Sequence, residues 1–206
     1  MLNAFLTGFG TGFSLILAIG AQNSFVLRQG LMREHVFWVC LICALSDAAL
    51  IAVGVAGFGG LSAAVPWAIA ALTWGGAAFL AVYGALSFGR AFHPGALRAA
   101  NQGTGSLRAT LLTCLALTWL NPHVYLDTVG LIGAVSTGFP GWRGQLAFGT
   151  GATLASFVFF FGLGTGARLL APVFARPRAW AILDVVIAVV MWSIAATLIL
   201  GQTGAP

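Results

Sequence analysis

The chain has 206 residues, of which 60% are hydrophobic, 12% aromatic and only 6% charged, with a mean hydropathy of +1.00. That composition leaves too little polar surface to face water and excludes a soluble domain of this size. Nine Arg, no Lys and four acidic residues give a formal charge of +5, but the charges mostly sit in short breaks between apolar runs and not on one face, so they mark topology and not a nucleic-acid partner.

A bilayer core about 30 Å thick needs about 20 apolar residues of helix. Stretches at about 3–27, 36–60, 66–88, 109–135, 146–167 and 179–201 meet that need and predict an all-α membrane protein with about six transmembrane helices. The first begins Met1-Leu2-Asn3-Ala4, without a basic n-region, and is too long for a signal-peptide core, so it reads as a retained span. Within it, Ile19-Gly20-Ala21-Gln22-Asn23-Ser24 gathers two carboxamides and a hydroxyl after a glycine, making Gln22 and Asn23 candidate site residues.

Asp47 falls near the middle of the second stretch. A carboxylate there costs several kcal/mol unless it meets a partner or water, so it is expected to face the bundle interior. Its functional reading competes with a structural ion pair or a carboxylate satisfied by helix hydroxyls. Cys40 and Cys43 in the same stretch, and Cys114 later, lie among apolar residues with no second Cys pair or nearby His, which predicts helix packing and no metal site. The third stretch leads into residues 89–108, the one long connection, which divides a single transmembrane domain into halves of about 1–88 and 109–206.

In the fourth stretch, Thr118-Trp119-Leu120-Asn121-Pro122-His123 interrupts an apolar helix. Pro122 removes a backbone donor, and Asn121 before it is pushed from helical dihedrals. Freed backbone groups are tolerated in a bilayer only where protein or a water-filled cavity satisfies them, so Asn121 and the break at Pro122 are candidates to line a site. An ordinary proline kink is the plain alternative. His123 could relay protons or simply pack, and Asp127 is a second intramembrane acid, nearer an interface. The runs Gly8-x-Gly10-x-Gly12 and Gly162-x-Gly164-x-Gly166 lack the residues of a phosphate loop and predict close helix packing.

Arg28 and Arg33 fall in the first connection, Arg90, Arg98 and Arg108 in the third, and Arg168, Arg176 and Arg178 in the fifth, leaving Arg143 in the fourth. The positive-inside rule then places connections one, three and five, including loop 89–108, in the cytoplasm and both termini outside. A five-span arrangement with the N-terminus inside stays open if a Gly-rich stretch is re-entrant. The halves also match weakly, pairing Gln22 with Asn121, Ser46 with Ser156 and Trp74 with Trp192. With three spans per half the second copy must be inverted, an architecture of secondary transporters whose sites lie at the repeat interface.

At these residues the chain resembles the LysE-type basic amino acid exporters of bacteria, within them the arginine-exporter branch. The matching stretches are Ile19 to Val26 with Gln29-Gly30, Cys43 to Asp47, Thr73 to Leu80, Thr118 to Thr128, Gly149 to Ala152 with Ser156-Phe157, and Met191-Trp192. The resemblance implies export of L-arginine, L-lysine or analogues such as canavanine across the bacterial inner membrane by a homodimer or higher homo-oligomer, with Asp47 and Asp127 important for function or helix pairing. Many relatives carry proline where Ala21 stands, so a milder first-span break is expected here.

The combined expectation is a secondary transporter, not an enzyme, with no cofactor and no metal. Asp47 and Asp127 would meet the substrate cation while Gln22, Asn23 and Asn121 bond its backbone portion, protons being the exchanged partner. An exporter of neutral amino acids and a non-transporting membrane subunit are the alternatives.

Overall fold

The computed structural model describes residues 1–17, 20–56, 66–92, 106–170 and 172–203. Among them every regular element is helical: α1 (Leu2–Ile16), α2 (Ala21–Met32), α3 (Val36–Val55), α4 (Pro66–Ala91), α5 (Leu107–Trp119), α6 (Pro122–Val124), a π-helical segment (Tyr125–Leu131), α7 (Ile132–Ser136), α8 (Trp142–Gly166), 3-10 turns at Ala167–Leu170 and Val173–Ala175, and α9 (Pro177–Thr203). Residues Ile19, Arg98, the end of the second predicted span and most of loop 89–108 lie outside the described residues.

Among the described residues three segments are long and apolar enough to cross a membrane: Val36–Val55, Trp142–Leu170 and Arg178–Leu200. They become four if α1 and α2 are counted as one broken span, since these two meet at 82°. The first predicted span is therefore not continuous, and its break is sharp even with alanine at position 21. Gly20 supplies the extended residue at the head of α2, with φ −115° and ψ −179°. The fourth predicted span is likewise divided at Leu120–Asn121, between α5 and α6. Helix α4 has 26 residues, a length of about 39 Å at the usual helical rise.

Glycines let backbones touch where α1 lies along α8. Gly8 sits on the backbone of Phe148, and a Cβ at Gly12 would come within 3.0 Å of Ala152 Cα. Gly8 and Gly12 are four apart and share a face of α1, whereas nothing approaches Gly10. The second run divides the same way, with Gly164 packed and Gly162 and Gly166 open, so only part of each predicted glycine run packs.

Helix α3 also packs on α8, and its end meets the π segment and α7, where a Cβ on Gly54 would lie 2.7 Å from Val129 O and one on Gly133 2.7 Å from Gly54 O. Helix α4 runs along α9, joined by Trp192 Nε1 donating to Ala81 O at 3.2 Å. The larger apolar core joins α2, α3, α4, α5, α8 and α9 through residues such as Phe25, Leu80, Leu117, Phe160 and Met191. All three cysteines belong to it and are free thiols. Cys40 Sγ donates to Phe160 O at 3.1 Å, and Cys43 Sγ lies 3.2 Å from Cys114 Sγ across α3 and α5, as the packing reading expects.

Candidate functional site

Asp47 lies on the face of α3 that meets α8, and only 6% of it is exposed. Ser156 Oγ, on α8 and fully buried, donates to Asp47 Oδ2 at 2.9 Å. One hydroxyl is thus its described partner, and neither described salt bridge involves it. The neighbouring Ser46 Oγ accepts from Trp119 Nε1 at 3.1 Å, tying α3 to the last residue of α5 just before the break.

One turn before Asp47, and therefore on the same helix face, Cys43 faces Gln22 of α2. Gln22 Nε2 is buried there with the weakly accepting Cys43 sulfur beside it and no oxygen acceptor. A carboxylate backed only by a hydroxyl and a carboxamide donor without an oxygen acceptor therefore share one region of the bundle. An unmet buried donor of this kind is costly, of order 1–3 kcal/mol, and suits an acceptor that arrives from outside the chain.

Other candidates are used differently. Asn23 Nδ2 donates to Ile16 O at 2.6 Å, spanning the break and covering a carbonyl at the end of α1. At the second break, Asn121 is extended (φ −96°, ψ 106°), and its Oδ1 accepts from His123 N at 3.2 Å as an N-cap of α6. In an unbroken helix that N–H would serve Trp119 O; instead Tyr125 Oη donates to Trp119 O at 2.9 Å. These two backbone groups are thus met within the chain, by protein and not by a cavity. His123 and Asp127 are exposed, the latter in the π segment, so the structure separates the two predicted acids by environment.

The sequence reading passed over a third intramembrane acid. Asp184, eight residues into α9, is fully buried and takes Arg28 of α2 and Arg90 of α4 on its Oδ1, while its Oδ2 has no partner. Arg28 is 6% exposed; Arg90 also donates to Ser87 Oγ at 2.7 Å and lies 5.8 Å from the centre of the Tyr83 ring. Position alone could have found Asp184, since an acid inside an apolar stretch is exceptional there as at Asp47. Arg28 had been assigned to a loop, but α2 continues to Met32 and carries it inside.

Comparison with known proteins decides the family, because the sequence profile described as LysE type translocator matches residues 13–202. The chain belongs to the LysE family. Arginine exporter protein ArgO of Salmonella enteritidis PT4 is 40% identical over 95% of this chain and 92% of its own. A Mycobacterium tuberculosis H37Rv protein, provisionally named an amino-acid transporter, is 44% identical over 94% of this chain and 95% of its own. No solved structure matches. In this LysE member Asp47, Ser156 and Gln22 lie in one region of the bundle, and Arg28, Arg90 and Asp184 form a charged cluster.

Proposed function

We propose that this LysE-family protein is a secondary exporter of cationic L-amino acids, namely arginine, lysine and analogues such as canavanine, across the bacterial inner membrane in exchange for protons. Asp47 carries the reading: a buried acid with a hydroxyl and no described counter-cation provides an attractive site for either a cationic group or a proton. One carboxylate cannot hold both, so competition between them couples their movements without further machinery. Export of a cation against a negative-inside potential costs about 2.3 kcal/mol per charge per 100 mV, which makes a driving ion necessary. Gln22 Nε2 supplies a donor for the substrate's carboxylate end. The similarity to arginine exporter protein ArgO supports the same substrate class.

Six spans in two inverted halves fit this activity. Support comes from helix breaks at corresponding places, between α1 and α2 and between α5 and α6, and from the packing of second on second (α3 with α8) and third on third (α4 with α9) elements of the halves. Assembly into a homo-oligomer belongs to the same proposal.

Ser156 favours one competing reading, in which Asp47 only pairs α3 with α8 and the substrate is a neutral amino acid. Liposomes separate the two. An imposed proton gradient at fixed membrane potential should drive labelled arginine and leave leucine behind; equal leucine movement, or arginine flux indifferent to the gradient, refutes the proposal.

A further inference from the structure

Beside the turn between α2 and α3, the C-terminal end of α8 forms an open groove of about 430 Å³. Arg33 and Arg168 stand on its rim, Val36, Phe37 and Phe161 make an apolar wall, and Thr165 lies between. The floor is close because Gly30 and Gly164 bring α2 and α8 backbone to backbone. Neither arginine takes part in a described salt bridge. Arg168 Nε donates to Thr165 O at 2.8 Å, and its terminal nitrogens have no described partner. Arg33 is held in the left-handed region, at φ 58°, which a residue with a Cβ adopts at a cost.

The wall is as informative as the rim. Phe37 is 57% exposed and meets Phe161 with ring centres 5.8 Å apart and Trp38 at 5.4 Å, so an aromatic patch lies at the level of the two arginines. Trp rings and loop arginines concentrate at the membrane–water interface, and Trp38 beside Phe37 fits that placement. A small soluble anion would use the arginines but gain nothing from the rings, whereas an uncharged lipid would use the rings but not the arginines. Only a ligand with a negative headgroup and an acyl chain uses both.

We propose that this groove binds an anionic phospholipid, its phosphate between the Arg33 and Arg168 guanidinium groups and its acyl chain along Phe37 and Phe161. Basic pockets between helices on the cytoplasmic side are suited to such headgroups. The site rests on the chain being a membrane protein and is independent of which amino acid it moves. A lipid seated there bridges α8 to the end of α2, the helix that carries Gln22 and Arg28.

The test uses the full chain in neutral detergent, with native mass spectrometry and thermal unfolding measured against phosphatidylglycerol, phosphatidylcholine and glycerol 3-phosphate. Phosphatidylglycerol alone should be retained and should raise the unfolding temperature. At roughly fivefold per arginine, Arg33→Gln with Arg168→Gln should weaken its binding about 25-fold. Arg143→Gln, in another connection, should leave binding unchanged. Equal retention of phosphatidylcholine, equal stabilisation by glycerol 3-phosphate, or unaltered binding by the double variant would each overturn the proposal. If the double variant does not fold, Thr165→Trp decides, because it fills the groove and keeps both charges: loss of phosphatidylglycerol supports the site and retention refutes it.

Discussion

Replacing Asp184 by asparagine would leave Arg28 inside the bundle without its carboxylate. Arg28 is 6% exposed and Asp184 fully buried, so water cannot compensate, and loss of one partner from such a pair costs about 3–5 kcal/mol. The Arg90 side chain is 31% exposed, so it can turn to solvent and contributes under about 1 kcal/mol to the loss. For a chain of this size each kcal/mol moves the unfolding midpoint by about 2–4 °C, which places the expected drop near 10 °C. Removing both charges, as Arg28→Met with Asp184→Leu, should recover most of that stability, because a buried pair replaced by apolar side chains is often neutral. Thermal unfolding of the wild type, Arg28→Met, Asp184→Leu and the double variant in one detergent gives the coupling directly. A drop under about 1 kcal/mol for Asp184→Asn, or a double variant as unstable as the two single losses added, would refute the argument from burial.

Further outcomes follow from the same contacts. Asp47→Asn retains an acceptor for Ser156 Oγ, so it should insert and fold with a loss of about 1 kcal/mol or less while abolishing arginine flux in liposomes; wild-type flux would make Asp47 structural. Tyr125→Phe strips Trp119 O of its donor and should cost about 1–3 kcal/mol in thermal unfolding, and no change would mean that the break is satisfied otherwise. Pro122→Ala lets α5 run into α6 and should lower turnover more than stability; unchanged turnover with a lowered unfolding temperature would identify a mere kink. For orientation, cysteines placed at Gly95 and Pro177 should resist an impermeant reagent in intact cells while one at Gly141 reacts, and the reverse pattern inverts the topology.

Hydropathy alone located most of the helices, because about 20 apolar residues in a row have few other uses. Apolar content does not report continuity, however: residues 3–27 pass as one apolar stretch, and the sequence pointed only to a mild break where α1 and α2 meet at 82°. Pro122 announced the second break, since its missing N–H is visible in the sequence. Burial of Asp47 was also legible, for its cost requires an interior place. Its partner Ser156 lies 109 residues away, and only packing of α3 on α8 selects that hydroxyl. Counting arginines by connection had the opposite effect: it treated Arg28 as a topology mark and concealed its partner Asp184.

The π-helical turn over Tyr125–Leu131 makes the direction of Asp127 a matter of hydrogen-bond count. In a π turn each N–H reaches back five residues and not four, so the chain holds a surplus residue relative to an α-helix. Gly133, seated on Gly54, fixes the downstream end of this segment. Were the bonds to slip back to four, everything upstream would turn by about 100° and advance about 1.5 Å, the angle and rise of one residue. Asp127, exposed in the present winding, would be carried to a different face with no change in sequence. The winding of these seven residues thus bears on which way Asp127, the one acid between Leu107 and Ser136, faces.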